Sequence, residues 1–232
     1  DDLQSIANEW NIPIIEDAAH AVGATYKGHN IGNISEFTIF SFQAIKHITT
    51  GDGGMLIIKD ENLLDKADRI RWFGIDRKSK QAGTWENDIK EVGYKYQMTD
   101  IAAAMGIASL EEFDQISSLR KTLFKTYEDE LSNLDDVKVV GGGFKDREHG
   151  AWLFTILVNN RYKLQEKLRS NNIESNQVHF RNDRYSIFKE FTDGKVFPNM
   201  DRVEDDYLVL PLHTMMDKKD VMKICSVIKS GW

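Results

Sequence analysis

An α/β segment followed by an α+β module is the fold class that this 232-residue sequence predicts. Three observations predict it. A stretch with helical spacing is followed at once by a short apolar run ending in acid, the rhythm of a helix feeding a buried strand. Two further β-branched and aromatic runs follow before the next helix. After residue 135 that alternation stops, and strand-like and helix-like stretches no longer come in pairs, which is the pattern of an α+β unit.

Element by element, Leu3, Ile6, Ala7 and Trp10 fall at the spacing of one helical face. Asn11 and Pro13 end that helix. The run "IPIIE" (12–16) reads as a buried strand, "EFTIFSF" (36–42) as a second and "GGMLIIKD" (53–60) as a third, in a mostly parallel sheet. Leu64, Ala67, Ile70 and Phe73 give a helix over 61–74, with Gly74 as its stop. Thr99 caps one long helix running to about residue 133, whose early part, "AAAMGIAS", is rich in small residues and suits close packing. Beyond it, "DVKVV", "AWLFTILV" and "IESNQVHF" read as strands. "RYKLQEKLRSNN", "RYSIFKEF" and "DKKDVMKICSVIKS" read as helices. The glycine-rich 140–150 stretch is the most linker-like and falls inside the second module.

Hydrophobic residues make up 41% of the chain and charged residues 29%, as in an ordinary globular protein. The formal net charge of -7 disfavours nucleic-acid binding, which needs basic side chains to displace phosphate counterions. The single cysteine, Cys225, allows neither a disulfide framework nor a cysteine-based metal site, and fits a cytoplasmic protein. No apolar run approaches the roughly 20 residues of a membrane helix, so no membrane association is expected. No metal site is expected: the acidic pairs Glu111-Glu112 and Asp135-Asp136 read as solvated charge.

The chemistry concentrates around Lys46. Asp17 stands at the carboxyl end of the first strand, Ser41 at the end of the next, and Lys46 just beyond it. Ligands of open α/β sheets bind at the carboxyl ends of strands, so an acid, a hydroxyl and an amine can converge on one crevice. Pyridoxal 5'-phosphate uses that set: a lysine that bonds its aldehyde and moves protons, a carboxylate that keeps the pyridine nitrogen protonated, and a hydroxyl with backbone N–H groups for its phosphate. Each residue taken singly has a plainer reading: Asp17 as a helix N-cap, Ser41 as an ordinary strand hydroxyl.

The ordered motif "EDAAH…SFQAIKHITTGDGG", followed by "VGYKYQMTDIAAAMGIASLE" and by "LPLH", closely resembles the DegT/DnrJ/EryC1/StrS family of nucleotide-sugar aminotransferases. The resemblance covers essentially the whole chain. It implies an aspartate aminotransferase-like fold, the type I fold of pyridoxal phosphate enzymes. Residues 1–120 would form the C-terminal part of the cofactor-binding large domain and 121–232 a small α+β domain. It also implies a homodimer with shared active sites, and amination of a nucleotide-linked keto sugar, with glutamate as donor, in amino-sugar and polysaccharide biosynthesis. Lys46 resembles the cofactor-bonding lysine, Asp17 the pyridine partner, His20 a residue near the cofactor's phenolic oxygen, and Ser41 a phosphate-binding serine. Lys95 stands in "GYKY", where many members read "GYNY" and reach the neighbouring subunit's phosphate.

Dehydratases of the same family replace the lysine by histidine. Here Lys46 is present and His47 follows it as a solvated loop residue. Family members carry a further N-terminal segment before the position of Asp1, so the chain is expected to be their C-terminal portion. A non-catalytic or regulatory protein on the same fold is the rival reading. His179, Arg181 and Arg184 could meet a sugar-nucleotide diphosphate or a donor carboxylate, and His213 of "LPLH" could face the pocket.

Overall fold

The computed structural model describes residues 1–86 and 88–232. The chain divides into two compact units, Asp1–Asp114 and Gln115–Trp232.

Unit 1 opens with α1 (Asp2–Trp10), closed by Asn11 in the left-handed conformation at φ 50°. Strands β1 (Ile15–Asp17), β4 (Phe37–Ser41) and β5 (Gly54–Ile58) form one sheet in the order β1-β4-β5. β1 and β4 run parallel, Asp17 opposite Ile39. β5 runs against β4, Ser41 opposite Gly54, because 42–53 is a tight reversal rather than a crossover. The expectation of a mostly parallel sheet therefore meets one antiparallel pair. Between β1 and β4 lies a small hairpin of β2 (Thr25–Tyr26) and β3 (His29–Asn30). The loop after it covers one sheet face: a Cβ on Gly32 would meet Ile57 at 3.0 Å and Phe40 at 3.2 Å, and Thr38 is fully buried. Pairing and alternation put Ile15, Asp17, Ile39, Ser41 and Leu56 on the other face. That face is open, with Ile15, Ile39 and Leu56 exposed. "IPIIE" is thus a shorter and more open strand than its apolar run suggests.

A single turn of 3-10 helix (Glu61–Leu63) leads into α2 (Leu64–Arg71), and α3 (Arg77–Gln81) follows. Thr99 Oγ1 accepts the Ala102 N–H at 3.3 Å and caps α4 (Asp100–Glu111). The one long helix expected here is two, because the chain breaks at Glu112 before α5 (Phe113–Leu131). Glu111 and Glu112 are unfavourable at a helix C-terminus, while Asp114 is favourable in the first turn of the next.

Most of α5 belongs to unit 2. There β6 (Val137–Val140), β8 (Phe154–Val158) and β9 (Tyr207–Leu210) form an antiparallel sheet in the order β6-β8-β9. β7 (Arg147–Glu148) is a two-residue strand before β8. α6 (Arg161–Ser170) and α9 (Lys218–Lys229) pack with α5 on the inner sheet face. Leu123, Tyr127 and Leu131 recur at helical spacing and meet Phe154, Ile156 and Leu208 in a fully buried core. Tyr127 stacks on Phe154 at 4.6 Å and donates its hydroxyl to the Pro211 carbonyl at 2.9 Å. Asp217 and Asp220 close a capping box on α9.

"IESNQVHF" does not form the expected strand. Only Asn176 pairs, bridging to Val209 on the outer edge of β9, a strand the periodicity did not reveal. "RYSIFKEF" forms 3-10 turns at Asn182–Arg184 and Ser186–Phe188 and the short α7 (Lys189–Thr192), rather than a continuous helix. α8 (Pro198–Val203) then leads to β9.

Candidate active site

Asp17 and Ser41 stand at the carboxyl ends of two adjacent parallel strands and on the same open face. Asp17 Oδ1 accepts the Ala19 N–H at 3.0 Å, so the acid terminates its strand with a local turn, and no helix follows for it to cap. Ser41 Oγ accepts the Gln43 N–H at 3.3 Å, which leaves its own hydroxyl proton for a ligand. His20 is exposed in the turn just after Asp17.

Lys46 lies in the reversal between β4 and β5. The Lys46 N–H returns to the Gln43 carbonyl at 2.9 Å, Phe42 pairs with Gly53 at 2.8 Å, and the Thr50 N–H reaches the Phe42 carbonyl at 2.9 Å. These bonds make 42–53 a closed loop with Lys46 at its apex. Glycine is needed at its exit, where a Cβ on Gly54 would stand 2.7 Å from the Phe40 carbonyl oxygen. The small-residue face of α4 supports the loop: Ser109 Oγ donates to the Thr49 carbonyl at 3.3 Å, and a Cβ on Gly106 would meet the Thr50 methyl at 2.9 Å. His47, expected as a solvated loop residue, is instead 5% exposed, because the turn tucks it inward beside buried Ile48.

Lys46 itself is half-buried. Burial lowers its ammonium pKa below the ordinary lysine value, and the negative charge of Asp17 partly opposes that shift. The amine and the carboxylate are therefore close enough to act on each other. This donor set fits pyridoxal phosphate: Lys46 Nζ for an aldehyde, Asp17 for a ring nitrogen, and the Ser41 hydroxyl for a phosphate. Among the described residues, no group of His, Cys, Asp and Glu could hold a metal ion.

Lys95 is on a segment strapped to the end of α2: the Phe73 N–H reaches the Tyr94 carbonyl and the Tyr96 N–H reaches the Arg71 carbonyl, both at 3.0 Å. Its ammonium lies 4.1 Å from the centre of the Trp72 indole, and the Arg77 guanidinium lies 5.2 Å from the same ring. The sequence offered no local signal for this partnership, because 72 and 95 meet only through that strap.

In unit 2, His179, Arg181 and Tyr207 line a groove of about 810 Å³ between the outer sheet face and the 178–203 segment. The structure gives Arg181 a full set of internal partners. It is 7% exposed, clasps both Asp183 oxygens at 2.7 and 3.0 Å, and reaches Asp201 at 2.6 Å and Glu204 at 3.0 Å. These acids hold its pKa above the ordinary arginine value. Its guanidinium thus closes the base of a 20-residue excursion, Asp183 and Asp201 meeting on one cation. Arg184 is half exposed and also meets Glu204. His179 is exposed, and its backbone N–H donates to Tyr207 Oη at 2.8 Å. His213 is exposed in the turn after Leu212 and lines a different depression from His179.

Arg120 escaped the sequence reading. It is the one charged residue on the buried α5 stripe of 120, 123, 124, 127 and 131, a pattern that marks an arginine with internal work.

Among the described residues, no helix is long and apolar enough to cross a membrane. The chain is 31% identical over 248 residues to the UDP-4-amino-4,6-dideoxy-N-acetyl-beta-L-altrosamine transaminase of Campylobacter jejuni, covering 100% of this chain and 64% of that protein. It superposes on the crystal structure of the sugar aminotransferase CalS13 from Micromonospora echinospora with a TM-score of 0.90 at 30% identity, over 100% of this chain and 62% of that one. A Streptococcus pneumoniae protein solved in a PLP form superposes with a TM-score of 0.83 at 27% identity, over 97% of this chain and 59% of that one. The same protein was also solved in a PMP form. The chain spans a little under two thirds of the length of each relative. Its fold is accordingly part of the type I, aspartate aminotransferase-like architecture. The profile of the DegT/DnrJ/EryC1/StrS aminotransferase family matches residues 1–229, and the chain belongs to that family.

Proposed function

We propose that the intact protein is a pyridoxal phosphate-dependent aminotransferase that aminates a nucleotide-linked keto sugar, with glutamate as the amino donor, as a cytoplasmic homodimer. The observation that carries this reading is the amine–carboxylate pair of Lys46 and Asp17, brought together at the shared carboxyl end of β1 and β4. The sugar-nucleotide substrate named for the Campylobacter relative supports the substrate class.

When bound, pyridoxal phosphate supplies an electron sink for the bond being broken. Lys46 Nζ would hold the group through its aldehyde and would be displaced by the amino donor; the freed amine would then move protons at the donor carbon and at the sugar carbon that gains nitrogen. Its lowered pKa suits both tasks, since a neutral amine is both nucleophile and base. The Asp17 carboxylate would keep a proton on the pyridine nitrogen. The Ser41 hydroxyl would donate to the phosphate, and the exposed His20 would serve the phenolic oxygen. Lys95, presented on Trp72, offers its ammonium to a phosphate. In unit 2, His179, Arg184 and His213 are the candidates for the sugar nucleotide and the donor carboxylate. Arg181 supports them by closing the 182–201 excursion.

Lys46→Ala in the intact protein tests the assignment. The expected result is loss of the borohydride-reducible cofactor absorption and of turnover together. Turnover retained in the variant refutes it. Product mass separates amination from the rival dehydration: gain of an amine supports the proposal, and loss of a sugar hydroxyl replaces it with a dehydratase.

A further inference from the structure

Three features of unit 2 that core packing does not require meet at one turn. Ala151 is fully buried yet left-handed, at φ 57°, a conformation that costs an ordinary residue stability and persists only where its surroundings enforce it. Its N–H donates to His149 Nδ1 at 2.8 Å. Its carbonyl accepts from Arg120 Nη1 at 3.2 Å, and the same nitrogen donates to the Trp152 carbonyl at 3.2 Å and the Leu212 carbonyl at 3.1 Å.

Arg120 is 8% exposed, its Nε has no hydrogen-bond partner among the described residues, and burial pushes its pKa down. A leucine at this point of α5 would pack without burying a charge. An arginine spent on three carbonyls of two separate loops does something leucine cannot: it fixes the relative position of those loops. His149 stacks on Phe124 at 4.6 Å, and burial lowers its pKa, keeping Nδ1 free of a proton and able to accept.

What this turn delivers is Trp152. Its side chain is 6% exposed, and its ring lies 6.3 Å from that of His179, tilted by 38°. His179 is tied at its backbone to Tyr207 and belongs to the groove. We propose that Arg120, His149 and left-handed Ala151 form a positioning turn that seats Trp152 as the platform for His179, and so sets the affinity of this edge of unit 2 for the nucleotide-linked sugar. The affinity clause rests on the proposed function; the seating of His179 does not.

The turn is sensitive to protons. Protonated His149 loses its acceptor and releases the Ala151 N–H. The charged groups facing it are Arg120, Lys121, Lys125 and Glu128 from α5, and Arg147 and Glu148 from its own segment. Lys121 meets Glu148 at 3.0 Å, Lys125 meets Glu128 at 2.9 Å, and Arg147 meets Asp146 at 2.8 Å. Residues 141–143 are glycines. Of all these, only His149 has an imidazole, the side chain that changes charge near neutrality. The platform should therefore loosen as pH falls.

The test uses the intact protein as wild type, His149→Ala and His149→Asn, with kcat and KM for a UDP-linked keto sugar measured across pH. The ring-current shift of the His179 protons is followed by NMR in parallel. His149→Ala should raise KM several-fold with little change in kcat and abolish the His179 shift. His149→Asn, whose Oδ1 can accept the same N–H, should restore both and remove the rise of KM toward acid pH. An unaltered His179 shift in His149→Ala overturns the positioning turn. A lost shift with unaltered KM overturns its role in affinity. Should His149→Ala fail to fold, Trp152→Phe keeps an aromatic core residue and should still raise KM and shrink the shift; if both stay at their wild-type values, the idea is refuted. If wild type binds no nucleotide sugar, the proposed function fails, and the seating of His179 still stands or falls on the shift.

Discussion

Gly54→Ala is the sharpest test of how the Lys46 loop is built. A methyl group on Gly54 would stand 2.7 Å from the Phe40 carbonyl oxygen, where a carbon–oxygen contact relaxes only at roughly 3.3 Å, so β4 and β5 must part by about 0.6 Å. Both atoms belong to backbone in a paired ladder, Ser41 opposite Gly54, so no side chain can rotate away. The strain falls on the Phe42–Gly53 hydrogen bond of 2.8 Å that closes the loop. Overpacking of this kind costs about 1–3 kcal/mol. For a unit of this size, about 2 kcal/mol corresponds to a melting temperature lower by about 8 °C. Because the displaced strand end carries Ser41 and leads to Lys46, pyridoxal phosphate titration should show weaker capture as well. Gly28→Ala is the control. Gly28 has φ 79° but nothing within 4 Å of an added Cβ, so it suffers only backbone strain of about 1 kcal/mol and should leave cofactor capture intact. A Gly54→Ala protein that melts and captures cofactor like wild type would refute the reading of the loop as a rigid seat.

Three further outcomes follow from the same structure. Burial lowers the Lys46 pKa and Asp17 raises it, so the midpoint pH for trapping pyridoxal phosphate on Lys46 with borohydride should lie below that of free lysine, and Asp17→Asn should move it lower still; a midpoint moved upward contradicts this electrostatics. Tyr127→Phe removes the only side-chain donor to the Pro211 carbonyl recorded among the described residues, and urea unfolding should report a loss of about 1–3 kcal/mol with an unchanged slope. The Cys225 thiol is pushed up to about 12 by burial, so in the native protein at pH 8 it should resist a thiol-specific chromogenic reagent and react only on unfolding.

Linkage gives His149 a definite sign. Its folded pKa is depressed, so its contribution to stability is fully present above the ordinary histidine value, near pH 6.5, and is lost as pH falls from there toward the depressed folded value. The acid side of neutrality is thus where both stability and the seating of Trp152 should weaken.

Several parts of this protein were legible in sequence because their cause is local. The α1 periodicity, the strand–turn–strand around Lys46 with its glycines, the Thr99 cap and the helical pattern of α9 are each decided by residues within a few positions of one another. The end of a strand is likewise a local event, so Asp17 and Ser41 could be assigned to strand ends before any pairing was known. Other readings failed where the deciding contact was distant. "IESNQVHF" has the composition of a strand, but strand formation depends on the partner it finds, and only Asn176 pairs, with Val209 of β9. His47 looks like any loop residue until the tertiary turn buries it. Arg181 looks like a phosphate ligand until Asp201 and Glu204, some twenty positions away, are seen to occupy it.

The amino-acid order alone determined which chemistry is available: one amine, one carboxylate and one hydroxyl spaced to fall at the ends of neighbouring strands. Only the tertiary structure decided which charges are free to use that chemistry and which are spent inside the fold. The reason is that desolvation and ion pairing depend on what lies across a few ångströms of space: the buried Arg120 and the half-buried Lys46 owe their state to residues far away in sequence, and Arg181 to Asp201 and Glu204 as well as to neighbouring Asp183.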